Sequence, residues 1–254
     1  MIDVNVTLHR WPFRRLYGDE PDRLVSYLRT KGVTQAWACS FDGLLHRDIS
    51  AVNARLAVDC QRTGRDFLLP FGAINPKLPD WQEDLRRCQE EHRMPGIRLY
   101  PNYHGYTLAD AAFPELLAAA ARRSLIVQIA LAMEDERTQN PLMRVAPVDP
   151  APLLDAVKRL PSARVVVLNG NRIPRGKQLA EAGVHFDFAM REGIGGVARL
   201  VDETAADRVL FGSNYPLFYF ESAELKVKEA GLPDIEARAI GDENARRLLK
   251  RQNK

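Results

Sequence analysis

Short apolar runs rich in β-branched residues alternate with longer amphipathic stretches along the whole chain. The runs cover 2–7, 34–40, 67–74, 96–100, 125–131, 164–169, 184–189 and 208–213, which predicts eight strands. Between them, 21–30, 49–63, 81–91, 114–123, 150–160 and 197–203 carry apolar positions at helical spacing and predict helices. In the first run, Ile2-Asp3-Val4-Asn5-Val6-Thr7, a period of two puts Asp3, Asn5 and Thr7 on one face and Val4 and Val6 on the other. With the valines packed under helices, the polar face is left to line something.

Strand–helix alternation predicts an α/β fold with a parallel sheet. Eight such units in 254 residues fit closure into a (β/α)8 TIM-like barrel, with a flavodoxin-like or Rossmann sheet plus extra elements as the alternative. No Gly-x-Gly-x-x-Gly follows the first run. The stretch 170–178 has one residue too many, and no Ser or Thr, for a phosphate-binding loop, so the nucleotide folds gain no support. Without a linker rich in Gly, Ser or Pro, the expected organisation is one domain over 1–254, with disorder only at 249–254.

Composition narrows the function classes. A hydrophobic content of 46% with 27% charged residues is that of a soluble chain able to bury a core. The net charge of +3 arises from 36 basic and 33 acidic residues in mixed runs, which argues against a nucleic-acid stripe. Cys39, Cys60 and Cys88 match no disulfide or zinc spacing and fit reduced, buried thiols. There is no basic-then-apolar leader and no apolar run near ~18 residues, so the expectation is a cytoplasmic protein without a membrane partner.

A barrel of this kind builds its active site at the C-terminal ends of its strands. Residues there are rich in amides and arginines: Asn5, Thr7, His9 and Arg10; Asp42 and His46; Asn75; Arg98, Asn102, Tyr103 and His104. Further on come Gln128, Glu134, Asp135 and Arg137; Asn169, Asn171 and Arg172; Asp187, Arg191 and Glu192; and Asn214 and Tyr215. Four stretches, Ile2-Asp3, Gly96-Ile97-Arg98-Leu99-Tyr100-Pro101, 208–216 around Phe211-Gly212-Ser213-Asn214-Tyr215-Pro216, and Asn244-Ala245-Arg246-Arg247-Leu248, together resemble amidohydrolase-related proteins of the "amidohydrolase 2" type. That family belongs to the metal-dependent hydrolase superfamily.

The resemblance implies a divalent-metal site that opens with Ile-Asp-x-His-x-His and adds a His after the fifth strand, a His after the sixth and an Asp after the eighth. The corresponding places hold Asn5, Thr7, Ala130, Asn169 and Asn214. Amide and hydroxyl oxygens are weak donors and alanine is none, whereas a catalytic zinc-type site needs about three protein ligands. The expectation is therefore no metal and no cofactor.

Four readings follow. The first is a metal-independent hydrolase of a small polar or anionic substrate, with His46 or His104 as general acid/base, Asp42 or Glu134 supporting it, and Asn5, Thr7, Arg98, Asn169, Arg172 and Asn214 binding substrate. The second is a catalytically inactive pseudoenzyme that binds a small ligand or partner on the same barrel, or whose Asn5, Asn169 and Asn214 form a closed network in place of the metal. The third is a relocated metal site among His9, His46, His104, Glu134 and Asp135. The fourth is an assembly protein using Leu217-Phe218-Tyr219-Phe220, a stretch better read as a lid or a dimer contact; a homodimer is allowed.

Overall fold

The computed structural model describes Met1–Lys250, so most of the tail expected to be disordered lies outside the described residues; Leu249 and Lys250 are helical. Seven parallel strands form a sheet in chain order: β1 (Ile2–Leu8), β2 (Gln35–Ser40), β3 (Leu68–Ala73), β4 (Gly96–Leu99), β5 (Ile126–Ala130), β6 (Arg164–Leu168) and β7 (His185–Phe186). Helices α1 (Pro21–Thr30), α2 (Ile49–Gly64), α3 (Trp81–Glu90), α4 (Ala112–Arg122), α5 (Leu153–Arg159), α6 (Gly176–Glu181) and α7 (Gly196–Thr204) alternate with them. A C-terminal group follows, α8 (Phe220–Glu229), α9 (Asp234–Arg238), a π turn over Ala239–Glu243 and α10 (Asn244–Lys250).

Local chemistry explains the elements. Pro21 opens α1 and Asp22 sits in its first turn, while Leu24, Val25 and Leu28 bury one face. Asp48 caps α2 through Ala51 N–H, and Val52, Leu56 and Cys60 recur every fourth residue on its buried side. All three cysteines are free and buried.

The strand expected over 208–213 is not a ladder strand of the sheet. It makes one isolated parallel bridge, Val209 to Phe186, and Tyr215 just beyond it makes another to Val6. Leu210 N–H donates to Phe186 O at 2.8 Å and Val4 N–H donates to Phe211 O at 2.9 Å, so the segment touches both β7 and β1.

Inside the curl, side chains lie in layers. At the N-terminal end Ile2, Val4, Trp37, Phe71, Ile126, Val166, Leu168 and Leu210 pack together, with Ala245 and Leu248 of α10 below them. Asn244 fixes that helix by donating to the carbonyls of Ala206 and Val209. The simple two-face reading of β1 fails at this point: its register shifts between Asp3 and Val6. Ile2 and Val4 consequently pack inside, whereas Val6 and Leu8 join the layer between sheet and helices.

Candidate functional site

The middle layer is polar and internally hydrogen-bonded. Asn5 Nδ2 donates to Asn169 Oδ1 and to Asp187 Oδ2, both at 2.7 Å, and Asn169 N–H donates to Asp187 Oδ1 at 2.7 Å. Asn169 Nδ2 in turn donates to Ala132 O, and Asn214 Nδ2 donates to Met133 O. Asn169 and Asn214 have φ of +60° and +56°, a left-handed backbone that asparagine tolerates better than other residues with a side chain. Asp3 accepts from Asn5 N–H, Ser213 N–H and Ser213 Oγ–H. Gly212 permits this approach: a Cβ there would lie 2.8 Å from Asp187 Cβ and 3.1 Å from Asn5 Cβ.

Both carboxyls are fully buried. Loss of solvation lifts Asp3 to about 6 and Asp187 to about 7, against the opposing pull of their hydrogen-bond donors and the Arg98 charge. Arg98 supplies that charge without a carboxylate in direct contact. Its guanidinium donates to Gln128 Oε1 (2.8 Å), Thr7 Oγ1 (3.1 Å) and, at 3.3–3.4 Å, the carbonyls of Val6, Val4 and Trp37. It ties β1, β2, β4 and β5 together, and its donors are spent on protein acceptors, so the expected role of anion anchor does not match its surroundings.

Above this layer, where the strand ends would open onto substrate, the packing is apolar. Cys39, Ala73, Tyr100 and Ala130 from the strand ends meet Trp11, Phe41, Leu44 and Met133 from the loops. Trp11 stands edge-on to both Phe13 and Phe41, at 5.2 Å between centroids. The buried Glu134 accepts from Arg14 at 2.7 Å, strapping the loop after β1 to the loop after β5. Leu217 packs against the same cluster and Phe220 is buried against Phe211, whereas Tyr219 is exposed.

The four expected acid/base groups are not brought together. His46 is exposed; it meets Asp42 through a backbone turn, His46 N–H to Asp42 O, while the Asp42 carboxylate faces Arg55. His104 is buried, donates Nε2–H to Gly43 O at 2.8 Å, and burial lowers its pKa, which keeps the ring neutral. Glu134 is committed to Arg14. Arg172 is exposed and lines a separate cleft with Arg175, Lys177 and Arg191.

One constellation was not anticipated. His9, held at φ +71°, has Nδ1 2.6 Å from Ser40 Oγ and Nε2 3.1 Å from Asp59 Oδ2. The consistent tautomer carries its proton on Nε2, with Ser40 donating to Nδ1. Ser40 Oγ also accepts Asp42 N–H and caps the short helix Phe41–Leu44. Ser40 closes a strand, a position open to sequence reading; Asp59 is one of several polar residues along α2, and nothing local marks it.

A divalent metal does not fit the residues at the strand ends. Asn5 and Asn169 turn amide N–H groups into the network, Ala130 offers no donor, and Thr7 Oγ1 accepts from a guanidinium. Asn214 Oδ1 is the amide oxygen left without a partner there, a weak donor where about three ligands are needed. Among the described residues no three of His, Cys, Asp and Glu cluster as a metal site.

The Amidohydrolase family matches residues 16–251, and the chain belongs to it. No curated protein sequence matches the chain. Among solved structures, 2,6-dihydroxybenzoate decarboxylase from Rhizobium is similar at TM-score 0.72 and 14% identity, over 99% of this chain and 100% of that one. The 5-carboxyvanillate decarboxylase from Sphingomonas paucimobilis gives 0.76 and 11%, over 98% of each chain. A dihydroxybenzoic acid decarboxylase from Polaromonas, solved with bound manganese and an inhibitor, gives 0.71 and 12%, over 92% of this chain and 86% of that one. At these identities the likeness speaks for the fold.

Proposed function

We propose that this chain is an eight-membered barrel of the amidohydrolase family in which the strand-end centre is a structural staple and the barrel serves as a scaffold that binds a small ligand, without metal-assisted hydrolysis. One observation carries the reading: of the five residues standing where family ligands would be, Asn5 and Asn169 are hydrogen-bonded to each other, Asn5 also to Asp187, and Asn169 and Asn214 to loop carbonyls, beneath an apolar plug. Segment 208–213 serves as the eighth member through its bonds to β7 and β1. Fold neighbours decarboxylate hydroxylated benzoates; this chain keeps their barrel and lacks a donor set for a metal such as the manganese bound in one of them. The test is turnover of 2,6-dihydroxybenzoate and of a panel of amides and lactones, with and without manganese. No turnover above the buffer blank is expected, and manganese-dependent turnover would overturn the reading.

Metal-free hydrolysis is the second reading, favoured by the Ser40–His9–Asp59 line. In it Ser40 Oγ adds to an acyl carbon while its proton passes to His9 Nδ1, the leaving group departs with that proton, and water releases the acyl group. Ser40 is only 1% exposed and its oxygen is engaged as a helix cap, which is why the scaffold reading stands first. A fluorophosphonate probe separates the two. An adduct on Ser40 that disappears in His9→Ala supports hydrolysis, and an unchanged intact mass supports the scaffold.

A further inference from the structure

The cleft that takes in Arg172 has a volume of about 1080 Å³ and lies beside the barrel, between the 171–178 stretch and α7. A site of that size admits a whole metabolite. Its walls carry five cations, Arg172, Arg175, Lys177, Arg191 and Arg199, against the carboxylates Glu192, Asp202 and Glu203. These charges do not simply cancel. Glu203 is taken by Arg191 at 2.8 Å and Glu192 faces Arg137 at 3.4 Å, while Arg199 donates to the carbonyls of Ile194 and Glu192.

Arg172, Arg175 and Lys177 make no ion pair or side-chain hydrogen bond among the described residues, although they crowd the loop before α6 and its first turn. Arg175 is held at φ +59°, a conformation disfavoured for a residue with a Cβ. The side chain of Arg191 is 8% exposed, yet its Nε is buried with no partner.

We propose that this cleft binds a small molecule carrying two or more anionic groups, phosphate or carboxylate, with the exposed and unpaired Arg172, Arg175 and Lys177 facing it. Arginine's fork suits either group. Asp202 and Glu203 bound the positive surface on the α7 side, which limits the ligand to a compact molecule rather than a nucleic-acid strand. The inference rests on reading the barrel as a binding scaffold, and it names the place and chemistry of the ligand.

The test is calorimetric titration of the full chain with inorganic pyrophosphate and, separately, with citrate. One-to-one binding of either is expected, pyrophosphate marking a phosphate ligand and citrate a polycarboxylate. Arg172→Glu with Arg175→Glu should weaken it by at least about tenfold, while Lys77→Glu, on the loop after β3, leaves it unchanged. All three positions are at the surface, and an unchanged melting curve verifies that the variants fold. Equal binding in the double variant, equal weakening by Lys77→Glu, or no saturable binding of either probe overturns the proposal. The scaffold reading would still stand in those cases, because it fails on metal-dependent turnover instead.

Discussion

Replacing Arg98 with methionine keeps the length and bulk of the side chain and removes its donors and charge. Two of its contacts, Gln128 Oε1 at 2.8 Å and Thr7 Oγ1 at 3.1 Å, have good hydrogen-bond length; the three carbonyl contacts at 3.3–3.4 Å are weaker. Hydrogen bonds from a charged group contribute about 1.5–3 kcal/mol each, so the two good ones set a loss of roughly 3–6 kcal/mol. Relief of burying the guanidinium offsets part of this, leaving about 2–5 kcal/mol, a large share of the ~5–15 kcal/mol typical of a folded protein. The assay is urea denaturation at pH 7.5, with Arg98→Lys as a partner variant that keeps the charge, loses the fork and falls between wild type and Arg98→Met. A loss under about 1 kcal/mol for Arg98→Met would refute the staple and return Arg98 to the role of a free anion anchor.

Three further outcomes follow from the same layer and its cover. Asp3 titrates at about 6 in the folded chain against ~3.9 unfolded, so the folded state holds its proton over that window and stability falls as pH rises from about 4 to 6, by on the order of 3 kcal/mol. Asp187, at about 7, adds its own fall from about pH 4 to neutrality; Asp3→Asn, whose amide can still accept both N–H groups and donate to Ser213, should roughly halve the slope below pH 6 and leave it unchanged above, in urea midpoints measured from pH 4 to 8. Gly212→Ala drives a Cβ to 2.8 Å from Asp187 Cβ and should cost about 1–3 kcal/mol by thermal denaturation. Trp11→Ala removes the centre of the plug and should cost about 3–5 kcal/mol, read in the same way.

Much of this architecture was legible along the chain because it rests on local patterns. The short apolar, β-branched runs and the amphipathic stretches between them mark seven of the strands and most of the helices within a few residues. Segment 208–213 reads as a strand by composition, but with its residues shared between β7, β1 and the C-terminal helix it forms bridges without a regular ladder. The amide cluster was legible as a group: Asn5 and Asn169 do bond each other, while Asn214 bonds the Met133 carbonyl. Asp187 was visible only as a strand-end residue, and its part as the network's acceptor depends on a register that sequence does not carry. His46 and Asp42 show the opposite failure, since nearness along a loop produced a backbone turn and no carboxylate–imidazole contact. Asp59 reaches His9 from a helix 50 residues away, a relation set by packing alone.

The measurement that tests the central claim most directly is metal content of untagged protein, by elemental analysis, after equilibration with manganese or zinc and removal of free ion. The account predicts well under ~0.1 metal per chain, because the strand ends offer one unpartnered amide oxygen where about three ligands are required. Near one metal per chain, lost on replacing Asn5 or Asn214 by alanine, would contradict it.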